Sequence, residues 1–214
     1  MTTTLTPNTH SISEALHELR SPQGVICFKL NGRYVLSCDP YQDEAVQRIN
    51  ELKGRRAGRP LVMIFKDREA IERAEVHSPL LHLLPTFAPL LTVSIPAPVG
   101  ISRSAHQGIG MLGIGLVDRG VGEALLSEWG GPLLVSSANP TGQPSPRSAA
   151  QLRAYGFQLP IIGQIEPDER ADERPPEVTV VTLASSKVKV LSPGQITERE
   201  LNEEWERLIA SGLI

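Results

Sequence analysis

Apolar positions along this chain switch repeatedly between a helical period and short continuous runs. Ile12, Ala15, Leu16 and Leu19 fall on one helical face behind Ser11 and Ser13, either of which can cap it, and Pro22 and Gly24 end it. Gly24 to Phe28 reads as a buried strand, Asn31-Gly32 as a hairpin turn, and Tyr34 to Cys38 as the returning strand. Asp43 is placed to cap a second helix carrying Ala45, Val46, Ile49 and Leu52, which ends near Gly54. The pattern then predicts a strand over 60–65, a helix started by Asp67, a short helix at 79–84 and a strand at 90–95. Residues 99–110 lack periodicity and predict a loop, 111–117 a glycine-rich strand, 121–129 a helix, 133–137 a buried strand and 148–155 a short helix. A charged, Pro-rich stretch at 166–176 suits an exposed loop, and 178–183 with 187–191 a late hairpin. Thr197 caps a final helix whose Leu201, Trp205, Leu208 and Ile209 form an apolar stripe. Interleaving of this kind predicts an α/β class with a twisted, mixed β-sheet flanked by helices.

Composition narrows the picture. The 214 residues suit one large domain, read as a loose polar N-terminus over 1–10, a domain over 11–195 and a C-terminal helix over 196–214. Aromatic residues make up only 4%, so the core must be aliphatic. A net charge of −3 argues against coating nucleic acid through overall charge, although it leaves room for a local basic patch. Cys27 and Cys38 are expected as buried free thiols of a reduced compartment, and the scattered histidines offer no zinc-ligand spacing. With no leader-like N-terminus and no apolar run of bilayer length, the chain is expected to be cytoplasmic and away from the membrane.

Two segments carry candidate chemistry. In Lys53-Gly54-Arg55-Arg56-Ala57-Gly58-Arg59-Pro60-Leu61, four cations fall within seven positions at a helix end, with glycines between them. Several cationic heads can converge there on one anion while backbone N–H groups approach closely, and a phosphate chain suits such a cluster. A solvated basic turn at a helix C-terminus explains the same residues. In Val135-Ser136-Ser137-Ala138-Asn139-Pro140-Thr141-Gly142-Gln143-Pro144 a buried strand runs into hydroxyl and amide side chains. Ligands of open α/β sheets sit where strands end, yet an ordinary polar turn has the same composition.

Taken together and in this order, the two segments resemble the YrdC-like family, which includes the threonylcarbamoyl-adenylate synthases of tRNA modification. The family's basic motif, K-x-R-x-x-x-K-P-L, stands here as Lys53-x-Arg55-x-x-x-Arg59-Pro60-Leu61, and its serine/asparagine motif as Ser136-Ser137-Ala138-Asn139-Pro140-Thr141-Gly142. The resemblance spans roughly residues 12–195 and two ordered motifs are more specific than either alone. It implies a YrdC-like single domain with an open, positively charged cleft. That cleft would bind ATP with Mg²⁺, together with an amino acid and bicarbonate, and would need no structural metal. By position, Lys53, Arg55, Arg59, Ser136, Ser137 and Asn139 would hold the phosphates, and Asn31, Arg33, Tyr34, Thr92 and Arg119 would shape the substrate pocket. No catalytic residue is assigned, because adenylyl transfer of this type works by positioning and charge neutralisation.

The sequence also departs from the family. The P-T-E/D-T-x-Y-G-L motif becomes Lys29-Leu30-Asn31-Gly32-Arg33-Tyr34-Val35-Leu36, and Gly115 stands where the V-R-x-P arginine is expected. The phosphate-side residues are kept while the amino-acid side is rewritten. Two main readings follow: a divergent nucleotide-binding enzyme forming a carbamoyl-adenylate, or a non-catalytic module binding a nucleotide or double-stranded RNA. For the second, Arg33, Lys53, Arg55, Arg56 and Arg59 would suit an A-form backbone. A protein partner docking on the Trp205-bearing helix is a third.

Overall fold

The computed structural model describes residues 9–55, 60–163 and 176–214. Local chemistry sets the first elements. β1 (Thr9–His10) leads into α1 (Ile12–Leu19), where Ser11 and Glu14 form a reciprocal capping box. β2 (Ile26–Leu30) and β3 (Arg33–Cys38) are joined by Asn31-Gly32, both at positive φ (49° and 75°), so the predicted hairpin turn forms. α2 (Asp43–Leu52) follows. Then come β4 (Val62–Phe65), α3 (Arg68–Arg73, capped by Asp67), a 3₁₀ turn at Pro79–Leu83, α4 (Leu84–Phe87) and β5 (Leu91–Pro96). After α5 (Arg103–His106), β6 (Met111–Leu116), α6 (Val121–Trp129), β7 (Leu133–Ser137) and α7 (Ala149–Ala154), the chain forms β8 (Ile161–Ile162), β9 (Thr179–Ala184), β10 (Lys187–Ser192) and α8 (Glu198–Ala210).

The strands join in one mixed sheet of order β1-β8-β2-β3-β7-β4-β6-β5-β9-β10. One face is covered along its length by α2, α3, α4, α7 and α8, packing on Tyr34, Leu36, Met63, Phe65, Leu112, Ile114, Val93 and Val181. The other face is covered over only part of its width. There α1 and α6 bury Leu16, Leu19, Leu125 and Leu126 against Phe28, Val35, Ile64 and Val135. Beyond them, over β6, β5 and β9, no helix among the described residues covers this second face.

Several expectations need correction. Gln42, not Asp43, is the N-cap of α2; the Asp43 carboxylate instead accepts from the Ser102 and Ser104 hydroxyls at 2.5 and 3.1 Å. These bonds, the Ser102 one foremost, hold its pKa below the ordinary carboxylate value. The same bonds order the stretch expected as a loop, where α5 forms. Thr9 and His10, expected in the loose N-terminus, instead pair in parallel with Ile161 and Ile162; residues 1–8 lie outside the described residues. The first strand begins at Ile26, not Gly24, where an added Cβ would lie 2.0 Å from the Glu18 carbonyl oxygen. On α8, Leu201, Trp205 and Leu208 are buried in the domain's own core and only Ile209 of the stripe is exposed. A partner cannot use the Trp205 stripe without displacing the helix. Most of the 166–176 loop lies outside the described residues. Cys27 and Cys38 are free and buried; burial pushes the Cys27 thiol up to about 12 and Cys38 further in the same direction, so both stay protonated. Among the described residues no helix is long and apolar enough to cross a membrane.

Candidate functional site

The C-terminus of α2 aims the basic segment. Lys53 is the C-cap, Gly54 takes φ +54°, and the Arg55 N–H returns to the Asn50 carbonyl at 2.9 Å. A left-handed residue at this place reverses the chain at little cost when it is glycine. The reversal turns Lys53 and Arg55 toward the end of β7.

There the two predicted segments meet. The Lys53 ammonium donates to the backbone carbonyls of Ser137 and of Asn139, the latter at 2.7 Å, and lies 3.4 Å from both Ser137 Oγ and Asn139 Oδ1. The Thr141 N–H donates back to the Lys53 carbonyl at 2.8 Å. Arg55 donates to Ser136 Oγ and to the Pro60 carbonyl, each at 3.0 Å. Asn139 donates through Nδ2 to the carbonyls of Pro140 (3.0 Å) and Gln143 (2.6 Å), closing the turn after the strand. Arg56 and Arg59 lie outside the described residues.

Lys53 and Arg55 are therefore not simply solvated. Lys53 is only 5% exposed and Asn139 only 7%. Burial first, and the neighbouring Arg55 charge second, push the Lys53 pKa down to about 7. The surrounding carbonyl oxygens act in the opposite sense, because each accepts better from an ammonium. Lys53 is thus a buried tie between the helix end and the strand end, while Arg55 and the Ser136 and Ser137 hydroxyls stand nearer the surface.

Beside this tie, the open sheet face forms a cleft of about 400 Å³. Ser136 and Ser137 stand at its edge, together with Asn31, Arg33 and Thr92 from the predicted pocket. The volume is of the size that small-molecule sites use. Tyr34 and Arg119 do not line it. Strand alternation puts Arg33 and Val35 on the cleft face and Tyr34 on the helix-covered one, where it is buried. Arg119 follows β6 on an exposed turn. Most of the lining is aliphatic, and Arg33 is its one cation among the described residues.

A second hollow of about 580 Å³ shares Arg33 with the cleft and is lined by Pro144, Ser145, Arg147, Gln151, Tyr155 and Glu177. Arg147 was not among the predicted residues. It immediately precedes Ser148, the cap of α7, and its own N–H donates to Gln151 Oε1 at 2.8 Å. The legible signal was a cation held between Pro146 and a helix cap, eight positions after Asn139. Among the described residues no group of three His, Cys, Asp or Glu side chains is gathered for a metal ion.

A family model for Sua5, YciO and YrdC proteins, described as "Telomere recombination", matches residues 19–194. The threonylcarbamoyl-AMP synthase of Bacillus subtilis (strain 168) is 29% identical over 205 residues, covering 94% of this chain but 58% of that protein. A threonylcarbamoyl-AMP synthase of Halorhodospira halophila is 30% identical over 147 residues, covering 67% of this chain and 76% of that protein. Among solved structures, P. abyssi Sua5 complexed with L-threonine superposes with a TM-score of 0.72 at 27% identity, covering 92% of this chain and 57% of that one. E. coli YciO gives 0.71 at 19% identity over 89% of this chain and 92% of that one, a likeness of fold. The chain thus spans little more than half the length of the Bacillus and P. abyssi proteins it matches.

Proposed function

This chain belongs to the Sua5/YciO/YrdC family, and on that premise we propose that it binds ATP at the rim of the open cleft and transfers its adenylyl group to a carbamoylated amino acid. The observation that carries the reading is the direct bonding of Lys53 and Arg55 to the 136–139 strand end, beside a cleft of ligand size. Relatives named threonylcarbamoyl-AMP synthases support the reaction class.

The chemistry asks little acid–base work of the protein. An amino-acid amine adds to the carbon of bicarbonate-derived CO₂ and loses a proton, giving a carbamate. A carbamate oxygen then attacks the α-phosphorus of ATP; the new P–O bond forms as the bond to pyrophosphate breaks, and pyrophosphate leaves. What the chain supplies is a fixed set of donors where phosphate charge accumulates. The Ser136 and Ser137 hydroxyls, which line the cleft, and Arg55, bonded to Ser136, would serve as these donors. Lys53 and Asn139 hold the strand end in shape, and Arg33 and Arg147 offer cations along the adjoining hollow. Mg²⁺ would enter on the ATP phosphates and neutralise part of their charge.

The test is pyrophosphate release from ATP with and without amino acid and bicarbonate. Release that needs both is the expected result. ATP binding without turnover would instead make the chain a nucleotide-binding module. Binding of double-stranded RNA that weakens steeply with salt, with no ATP binding, would make RNA the ligand.

A further inference from the structure

Gly113 and Gly115 of β6 lie on the sheet face that carries the cleft, and they are there for different reasons. A Cβ on Gly113 would come within 2.9 Å of Thr92 Cγ2 and 3.0 Å of Val62 Cγ2, so packing itself requires glycine. A Cβ on Gly115 would meet nothing nearer than the Leu91 carbonyl oxygen at 3.6 Å, with Thr92 Oγ1 at 3.7 Å and Val62 Cγ1 at 3.9 Å. Those are ordinary van der Waals contacts, and Gly115 is not among the residues of positive φ. Neither backbone conformation nor close approach demands glycine at 115. Its effect is to leave the cleft floor bare.

Around that bare floor the walls are hydrocarbon. Val62 and Ile64 of β4, Leu116 of β6, and Val178 and Val180 leading into and along β9 line the cleft together with Gly115. Of these, Val62, Leu116, Val178 and Val180 are only half-buried, so they present carbon to whatever enters. The polar groups sit elsewhere: Ser136 and Ser137 at one edge and Arg33 at another, with Thr92 as the hydroxyl near the floor.

We propose that the cleft selects an amino acid with a branched aliphatic side chain (leucine, isoleucine or valine) over threonine, and that Gly115 sets how long that side chain can be. The inference rests on the adenylyl-transfer reading for the ligand being an amino acid; the preference itself rests on the walls. The α-amine and carboxylate stay at the polar rim beside Ser136, Ser137 and Arg33, where the phosphorus must be reached. The side chain lies over Gly115 between Val62 and Val180. One methylene placed on such a surface changes affinity roughly 10- to 200-fold, whereas a threonine hydroxyl gives up water for mostly carbon neighbours.

The experiment is calorimetric titration of the full chain, in the presence of ATP and Mg²⁺, with leucine, isoleucine, valine, threonine and serine. The wild type is expected to bind leucine or isoleucine at least about tenfold more tightly than threonine. Gly115→Val, which fills the floor, is expected to weaken leucine about tenfold or more while changing threonine less than about threefold. If Gly115→Val fails to fold, Gly115→Ala is read for a smaller shift in the same direction. Equal or tighter binding of threonine, no binding of any of the five, or a folded variant with unchanged leucine affinity would overturn the proposal. Pyrophosphate release measured on the same samples separates the two ideas. Leucine binding without bicarbonate-dependent release defeats the adenylyl-transfer reading alone, and threonine-dependent release without an aliphatic preference defeats the selectivity alone.

Discussion

The two halves of the candidate site are built on opposite principles. At the polar end, the Lys53 ammonium, the Arg55 guanidinium and the Asn139 amide satisfy a set of carbonyls and hydroxyls, and each bond limits where the others can go. At the apolar end, β6 contributes bare backbone at Gly115 and the walls are aliphatic side chains without directional contacts. The polar end is fixed before a ligand arrives; the apolar end is shaped by what is missing. For the proposed reaction this contrast matters, because the phosphate end of an adenylylation is the same whatever acceptor is used. Substitutions at the polar end should therefore disturb both fold and chemistry, and those at the floor should disturb choice of ligand alone.

The largest effect is expected from Asn139→Ala. It removes two side-chain donors and leaves the Pro140 and Gln143 carbonyls short of a partner, a loss of about 2–4 kcal/mol in urea unfolding, with turnover falling as the strand end loosens. Unchanged stability would mean the turn holds without its amide, and the polar end would not be over-determined.

Arg55→Ala is expected to act more on ligand than on fold. Loss of a charge-assisted donor should weaken ATP roughly tenfold to hundredfold, measured by calorimetry, against about 1 kcal/mol of stability from its bonds to Ser136 and Pro60. The reverse ratio would make Arg55 a second structural tie like Lys53.

The two cleft glycines give the sharpest internal comparison. Gly113→Ala drives a methyl into Thr92 and Val62 and should cost about 1–3 kcal/mol. Gly115→Ala should stay within about 0.5 kcal/mol of wild type. Equal costs would show that the floor at 115 is packed rather than open.

A further contrast concerns pH. Lys53 has its pKa lowered from its ordinary value of 10.5 to about 7, by burial first and Arg55 second. Between those values the unfolded chain binds the extra proton, so stability rises with pH from about 7 upward, and below about 7 this group contributes no slope. Relative to Lys53→Met, wild type should gain about 2 kcal/mol between about pH 7 and about pH 9. Parallel behaviour of the two proteins would mean that the surrounding carbonyls keep the ammonium charged throughout.

What could be read in advance was what depends on neighbours in the chain. The Ser11 and Thr197 caps, the Asn31-Gly32 turn and the helix over 121–129 all rest on interactions within a few residues. Local pattern failed where a distant partner decides. Two-residue strands at Thr9–His10 and Ile161–Ile162 carry no period of their own and exist because they pair with each other and with β2. α5 stands in an aperiodic stretch, tied to α2 through Asp43.

The site divides along the same line. Sequence alone determined that cations follow one helix and that hydroxyls and an amide follow one strand, since both are local motifs, and their order along the chain was enough to relate them. Only the tertiary structure decided that Lys53 is buried among carbonyls, that Tyr34 turns away from the cleft while Arg33 faces it, and that Val62, Gly115 and Val180 share one floor. That floor exists because β4, β6, β5 and β9 are neighbours in the sheet, although residues 62 and 180 lie far apart in the chain. Which strands become neighbours is settled by burying whole faces against helices, a sum over the molecule that no short window of sequence contains.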